Sequence, residues 1–150
     1  MSLKIPQMTI SGKSTDMDSR KINEQYKKIA ENLIATEPEL AYIRNSSARI
    51  AYLESGFAKK KGKDIIVNGQ CEKVQTKNQW AINYDFTITL FLPNIKEFTE
   101  DQIRILLFHE LLHVGIEYED DGSEKYYIRP HDLEDFMLII DKYGTSWNRT

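Results

Sequence analysis

The sequence holds a single cysteine, Cys71, so no disulfide can close within the chain and no thiolate cluster can bind a metal. Long apolar runs are missing as well. The stretch from Ile103 to Phe108 is broken by Arg104 and falls far short of the roughly 18 residues a membrane span needs, so no membrane association is expected. Positive charge is not in surplus: 20 Lys and Arg against 23 Asp and Glu leave a net −3 with neutral His. The one dense basic run, Lys59, Lys60, Lys61 and Lys63, reads as a solvated turn, and no nucleic-acid partner is expected. Met1 to Thr15 contains no apolar stretch of the kind a secretory leader uses, which points to the cytoplasm. Seven Gly and 4 Pro among 150 residues, 41% of them hydrophobic, describe one soluble domain. A domain of this length folds without a metal or disulfide staple, so a bound metal would need a functional reason.

Residues 1–20 are polar and aperiodic and read as a mobile arm, with a single domain over 21–150. Ile22, Tyr26, Ile29, Ala30, Leu33 and Ile34 recur at helical spacing and predict a helix over about 20–35. Strands are expected around Ile50 to Leu53 and Ile65 to Val67, with Asn68-Gly69 as a tight turn pairing the second strand with Cys71 to Gln75. From Ile82 to Leu92 apolar and polar residues alternate, which predicts a strand with one buried and one wetter face. Thr99 and Gln102 form a capping-box pattern ahead of a helix running to Gly115. An acidic loop over 116–130 and a last helix from Leu133 to Tyr143 complete an α+β order, with a small mixed or antiparallel sheet packed against the two later helices.

The chemistry sits in that capped helix, which reads His109-Glu110-Leu111-Leu112-His113. Two histidines four apart on a helix lie one turn above the other and can aim imidazole nitrogens at one ion, a donor set suited to Zn2+. Glu110 lies about 100° round the helix from His109, where it can reach a water without ligating the metal. By chance such a pattern arises in roughly one chain of this composition in 300, and the helical context makes an accident rarer still. A catalytic zinc takes three protein ligands, and His131, the one remaining histidine, is the candidate for the third. Asp132, Glu134 and Asp135 compete with it, although Asp132 and Asp135 also read as the cap and acidic first turn of the last helix. Asp135 is the candidate to fix the tautomer of a liganding imidazole. An ion held here would lower the pKa of water towards about 7, for Glu110 to deprotonate as general base. Tyr126, Tyr127 and Arg129 are candidate oxyanion donors, with packing as the simpler role for each. An extended peptide could add to an exposed strand edge, which the strand from Ile82 to Leu92 would present or neighbour.

His109-Glu110-Leu111-Leu112-His113-Val114-Gly115, followed by Pro130-His131-Asp132-Leu133-Glu134-Asp135-Phe136, is more distinctive than the five-residue motif alone. With Tyr84-Asp85-Phe86, Thr99 to Gln102, Tyr127, Ile140 to Gly144 and Trp147, it resembles the phage-type metallopeptidases, small zincin-like proteins of bacteriophages and prophage regions. The layout is similar to that of SprT-like zincins, which use a distal histidine; the short Gly and His spacing of metzincins is missing. The resemblance implies a zincin-like α+β fold and a zinc peptidase acting on a peptide or protein substrate. It implies His109, His113 and His131 as ligands and Glu110 as the catalytic carboxylate. The alternative is a non-catalytic module that keeps the scaffold and metal and binds a host or phage protein; Glu110 favours the enzyme, because a structural zinc needs no neighbouring base. Elemental analysis of purified variants tests the third ligand. His131→Ala is expected to lower zinc occupancy far more than Asp132→Ala, and a larger loss at Asp132 would transfer the role to that carboxylate.

Overall fold

Asn23 starts the first helix by accepting the backbone N–H of Tyr26 through its side chain at 2.9 Å. A computed structural model describes residues 20–62, 65–78 and 82–130. Lys21–Ile22 form a short strand, β1, and helix α1 spans Glu24–Thr36, a few residues later than the periodicity suggests because the Asn23 cap sets its start. Tyr26, Ala30 and Leu33 form its buried stripe. Pro38 opens a 3-10 turn, Pro38–Leu40, leading into α2, Ala41–Arg44. Arg44 then reaches back to donate to the carbonyls of Ile34 and Ala35 at 2.9 and 3.0 Å, satisfying the open end of α1.

The main sheet combines β1, β2 (Ile50–Ser55), β5 (Gly69–Lys73) and β6 (Phe86–Phe91) in the order β1-β2-β6-β5. β2 and β6 run parallel, while β1 and β5 are antiparallel to their neighbours. The sheet is therefore mixed. Phe86, Ile88 and Leu90 join Tyr52 in the core beneath the helices. Thr87, Thr89 and Phe91, on the side expected to be wet, are buried too. The alternation misleads because β6 is an inner strand covered on both faces. Arg20 is part of that covering, donating to Thr89 Oγ1 at 3.2 Å and to Glu72 at 2.7 Å. The strand is also shorter than the alternation, since Asp85 ends it by accepting from the backbone N–H and Nε of Arg49 at 2.8 and 3.2 Å. Ile82 and Tyr84 lie outside it, packed beside Ala51 and Leu53.

Asn68-Gly69 does not close the expected hairpin. β4 (Ile65–Ile66) pairs back onto β3 (Lys60–Lys61), and β5 pairs with β6 instead. Asn94 enforces the separation, its amide donating to the carbonyls of Lys59 and Val67 at 2.8 and 2.7 Å. The chain then enters the main sheet at Gly69.

After a short helix α3 (Leu92–Ile95), the capping box forms as expected. Thr99 Oγ1 accepts from the Gln102 N–H at 3.2 Å and Gln102 Oε1 accepts from the Thr99 N–H at 2.8 Å. Helix α4 runs from Glu100–Leu111, with Leu106, Leu107, Phe108 and Leu111 buried against the sheet. It stops short of Gly115. Val114–Tyr118 form β7 and pair with β8 (Glu124–Ile128), so a hairpin replaces the expected loop. Gly122, at φ +85°, makes its turn, and Ser123 donates to Asp121 there through both its N–H and hydroxyl. The expected last helix lies outside the described residues. Among those described, no helix is long and apolar enough to cross a membrane. Thr99→Ala removes half of the box and is expected to lower the unfolding free energy by about 1 kcal/mol in urea denaturation. An unchanged value would mean that the box does not hold the start of α4.

Candidate metal centre

His109 lies in the last turn of α4, and His113 follows two residues after Leu111, in the bend that leads to β7. The helix tightens there, with the N–H of His113 donating to the Glu110 carbonyl at 3.0 Å rather than one residue further back. The tightened turn still brings the two imidazoles together edge to face, with centroids 5.3 Å apart at an interplanar angle of 64°. One ligand atom from each of His109, Glu110 and His113 falls within 4.8 Å of the other two. Two nitrogens on one tetrahedral zinc stand about 3.4 Å apart, so small side-chain rotations suffice to share an ion.

The tautomer of His113 follows from its partner. Nδ1 lies 2.6 Å from the backbone oxygen of Arg129. A carbonyl oxygen only accepts, so Nδ1 carries a proton, and in the neutral imidazole the lone pair available to a metal is on Nε2. The N–H of Arg129 donates in turn to the His113 carbonyl at 2.7 Å, extending the β7–β8 ladder by one pair. The hairpin therefore clamps both the backbone and the ring of this residue. Two imidazole nitrogens are donors that fit a divalent ion such as Zn2+, and the Glu110 carboxylate lies close beside them.

Glu110 is 4% exposed and faces edge strand β5. A Cβ built on Gly69 would stand 3.3 Å from Glu110 Oε2 and 2.9 Å from Leu90 Cδ2, so glycine leaves room there for the carboxylate. The same carboxylate lies 3.9 Å from His109 Nε2. Cys71, two residues along β5, has its thiol pushed well up by burial, then by the charges of Glu110 and Glu72, which keeps the sulfur protonated at neutral pH.

His131, Asp132 and Asp135 lie outside the described residues. Of the candidate oxyanion donors, Tyr126 gives its hydroxyl to Glu124 at 2.6 Å and sets its ring edge on Phe86, a packing role. Tyr127 lies across from Gly115, where any Cβ would meet its ring at 2.6 Å. Arg129 serves His113 through its backbone. Three contributors escaped the sequence: the Arg129 carbonyl, which leaves no trace in residue type; Gly69, read as a turn residue; and Tyr42, whose hydroxyl reaches the end of α4.

A family model described as "Putative phage metallopeptidase" matches residues 19–150. No curated protein and no solved structure matches the chain. Added Zn2+ is expected to raise the melting temperature of the intact protein, and at a hundredfold excess over Kd the gain corresponds to about 2.7 kcal/mol. His113→Ala should abolish the shift; an equal shift in that variant would move the ion elsewhere.

Proposed function

The chain belongs to the phage metallopeptidase family, and from that premise we propose that it is a zinc-dependent peptidase of zincin-like architecture. The observation that carries the reading is the cluster of buried His109 and Glu110 with half-buried His113, converging at the end of one helix. His109 and His113 would hold Zn2+ through their imidazoles, with His131 as the third ligand. When bound, the ion supplies a positive charge that polarises a peptide carbonyl and lowers the pKa of water towards about 7.

Glu110 acts as the general base. Its carboxylate accepts the proton of the attacking water and passes it to the leaving amine nitrogen as the peptide C–N bond breaks. Burial against Gly69 holds the carboxylate in one orientation and limits competing solvent. Edge strand β5, which has a partner strand on one side only among the described residues, offers backbone groups to an extended peptide. β6 neighbours that edge, and β5 rather than β6 presents it. Since α4 packs against β5, a peptide added there would run past Glu110.

Digestion of a peptide library tests the role of Glu110. Glu110→Gln keeps the shape and removes the base, and is expected to cut cleavage by a factor on the order of 10²–10⁴ while zinc content stays at the wild-type level. Cleavage unchanged by the substitution would eliminate the mechanism. Zinc binding with no cleavage by the wild type would favour a binding module on the same scaffold.

A further inference from the structure

Tyr42 comes from α2, some 70 residues before the metal helix in sequence, yet its hydroxyl ends against the turn that carries His113. It donates to the Val114 carbonyl at 2.6 Å and stands 3.4 Å from the Leu111 carbonyl, so it bridges the backbone on both sides of that histidine. The phenol oxygen accepts in turn from the Arg129 guanidinium. Arg129 is also the residue whose backbone grips His113 twice, through its carbonyl on Nδ1 and its N–H on the His113 carbonyl. Tyr42, Val114, His113 and Arg129 close a ring through these hydrogen bonds and the His113–Val114 peptide link, drawn from α2, the turn after α4 and the end of β8. Of its members, only His113 presents an atom to the ion.

We infer that Tyr42 is a positioning residue for the metal centre, acting through Arg129 and the Leu111 and Val114 carbonyls to hold the His113 imidazole on the ion. The physical reason lies in the turn itself. His113 sits beyond the last residue of α4, where the regular helix ladder no longer fixes the backbone. A swing of a few tenths of an ångström there carries Nε2 off a tetrahedral site, whereas His109, inside the helix, has no such freedom. The ring of Tyr42 packs against the main core, so it ties the turn to a part of the molecule that moves little. Without the hydroxyl, the Val114 carbonyl and the guanidinium both lose this partner, and the turn can relax.

This inference rests on the metal reading above, and the experiment separates the two. Zn2+ affinity by chelator competition, the visible absorption of Co2+-loaded protein and the melting of the metal-free chain are compared for the wild type, Tyr42→Phe and Tyr126→Phe. The Tyr126 variant loses a hydroxyl bond of similar length on the same hairpin without touching His113. Tyr42→Phe is expected to weaken Zn2+ binding about tenfold and to change the Co2+ bands, while Tyr126→Phe leaves affinity and spectrum at wild-type values whatever it does to melting. Arg129→Met, which keeps the backbone carbonyl and removes the guanidinium, should shift the Co2+ bands in the same direction and stands in if Tyr42→Phe does not fold. Wild-type affinity and spectrum in Tyr42→Phe, or equal losses in the two tyrosine variants, would overturn the positioning role alone. A wild type that binds neither ion would overturn the metal reading and this inference with it.

Discussion

A backbone oxygen that can only accept decides which nitrogen of His113 carries its proton. The 2.6 Å contact between Nδ1 and the Arg129 carbonyl does more than orient a ring, because it assigns the lone pair of Nε2 to whatever ion the helix end attracts. For that carbonyl to be in place, β8 must return alongside β7, and the chain must leave α4 as a strand rather than as more helix. Gly115 permits the return, since a side chain there would collide with the Tyr127 ring across the ladder. Glu124 ties the hairpin to the body of the protein by accepting the Ser47 N–H on both carboxylate oxygens, at 3.0 Å each. The helix end, the hairpin and His113 therefore form one mechanical unit.

The buried carboxylate imposes a second constraint. Removing an ionised group from water is costly unless a partner compensates, and Glu110 is almost wholly enclosed beside two imidazoles. A cation at the shared point would offset that cost. The edge strand contributes through what it lacks: Gly69 leaves room for the carboxylate, and Cys71 beside it stays a thiol.

The legible parts of the sequence were those in which residue type alone specifies the local geometry. Thr99 and Gln102 announced the start of α4, and His109, Glu110 and His113 announced the cluster, because both patterns depend on side chains at helical spacing. The α+β class was legible from the helical and two-residue periods, whereas the choice between a mixed and an antiparallel sheet stayed open until the parallel pairing of β2 with β6 decided it. The end of the helix was not, because Val114 and Gly115 suit a helix stop as well as the first residues of a strand, and pairing with Glu124–Ile128 decides between them. Nor could alternation in β6 reveal that Thr87 and Thr89 are covered, since the covering of that face, Arg20 on Thr89 included, comes from residues distant in sequence. Asn68-Gly69 has the composition of a hairpin turn, but the Asn94 amide holds the preceding residues in a smaller ladder of their own. Carbonyl partners such as that of Arg129 carry no signature, since every residue has one.

Diffraction from a zinc-loaded crystal, with the ion located by its anomalous signal, tests the centre most directly. Expected is one ion at about 2.0–2.1 Å from Nε2 of His113 and from an imidazole nitrogen of His109, with the Nδ1 contact to the Arg129 carbonyl intact. An ion bound through Nδ1 of His113, or a zinc peak remote from both rings, would contradict it.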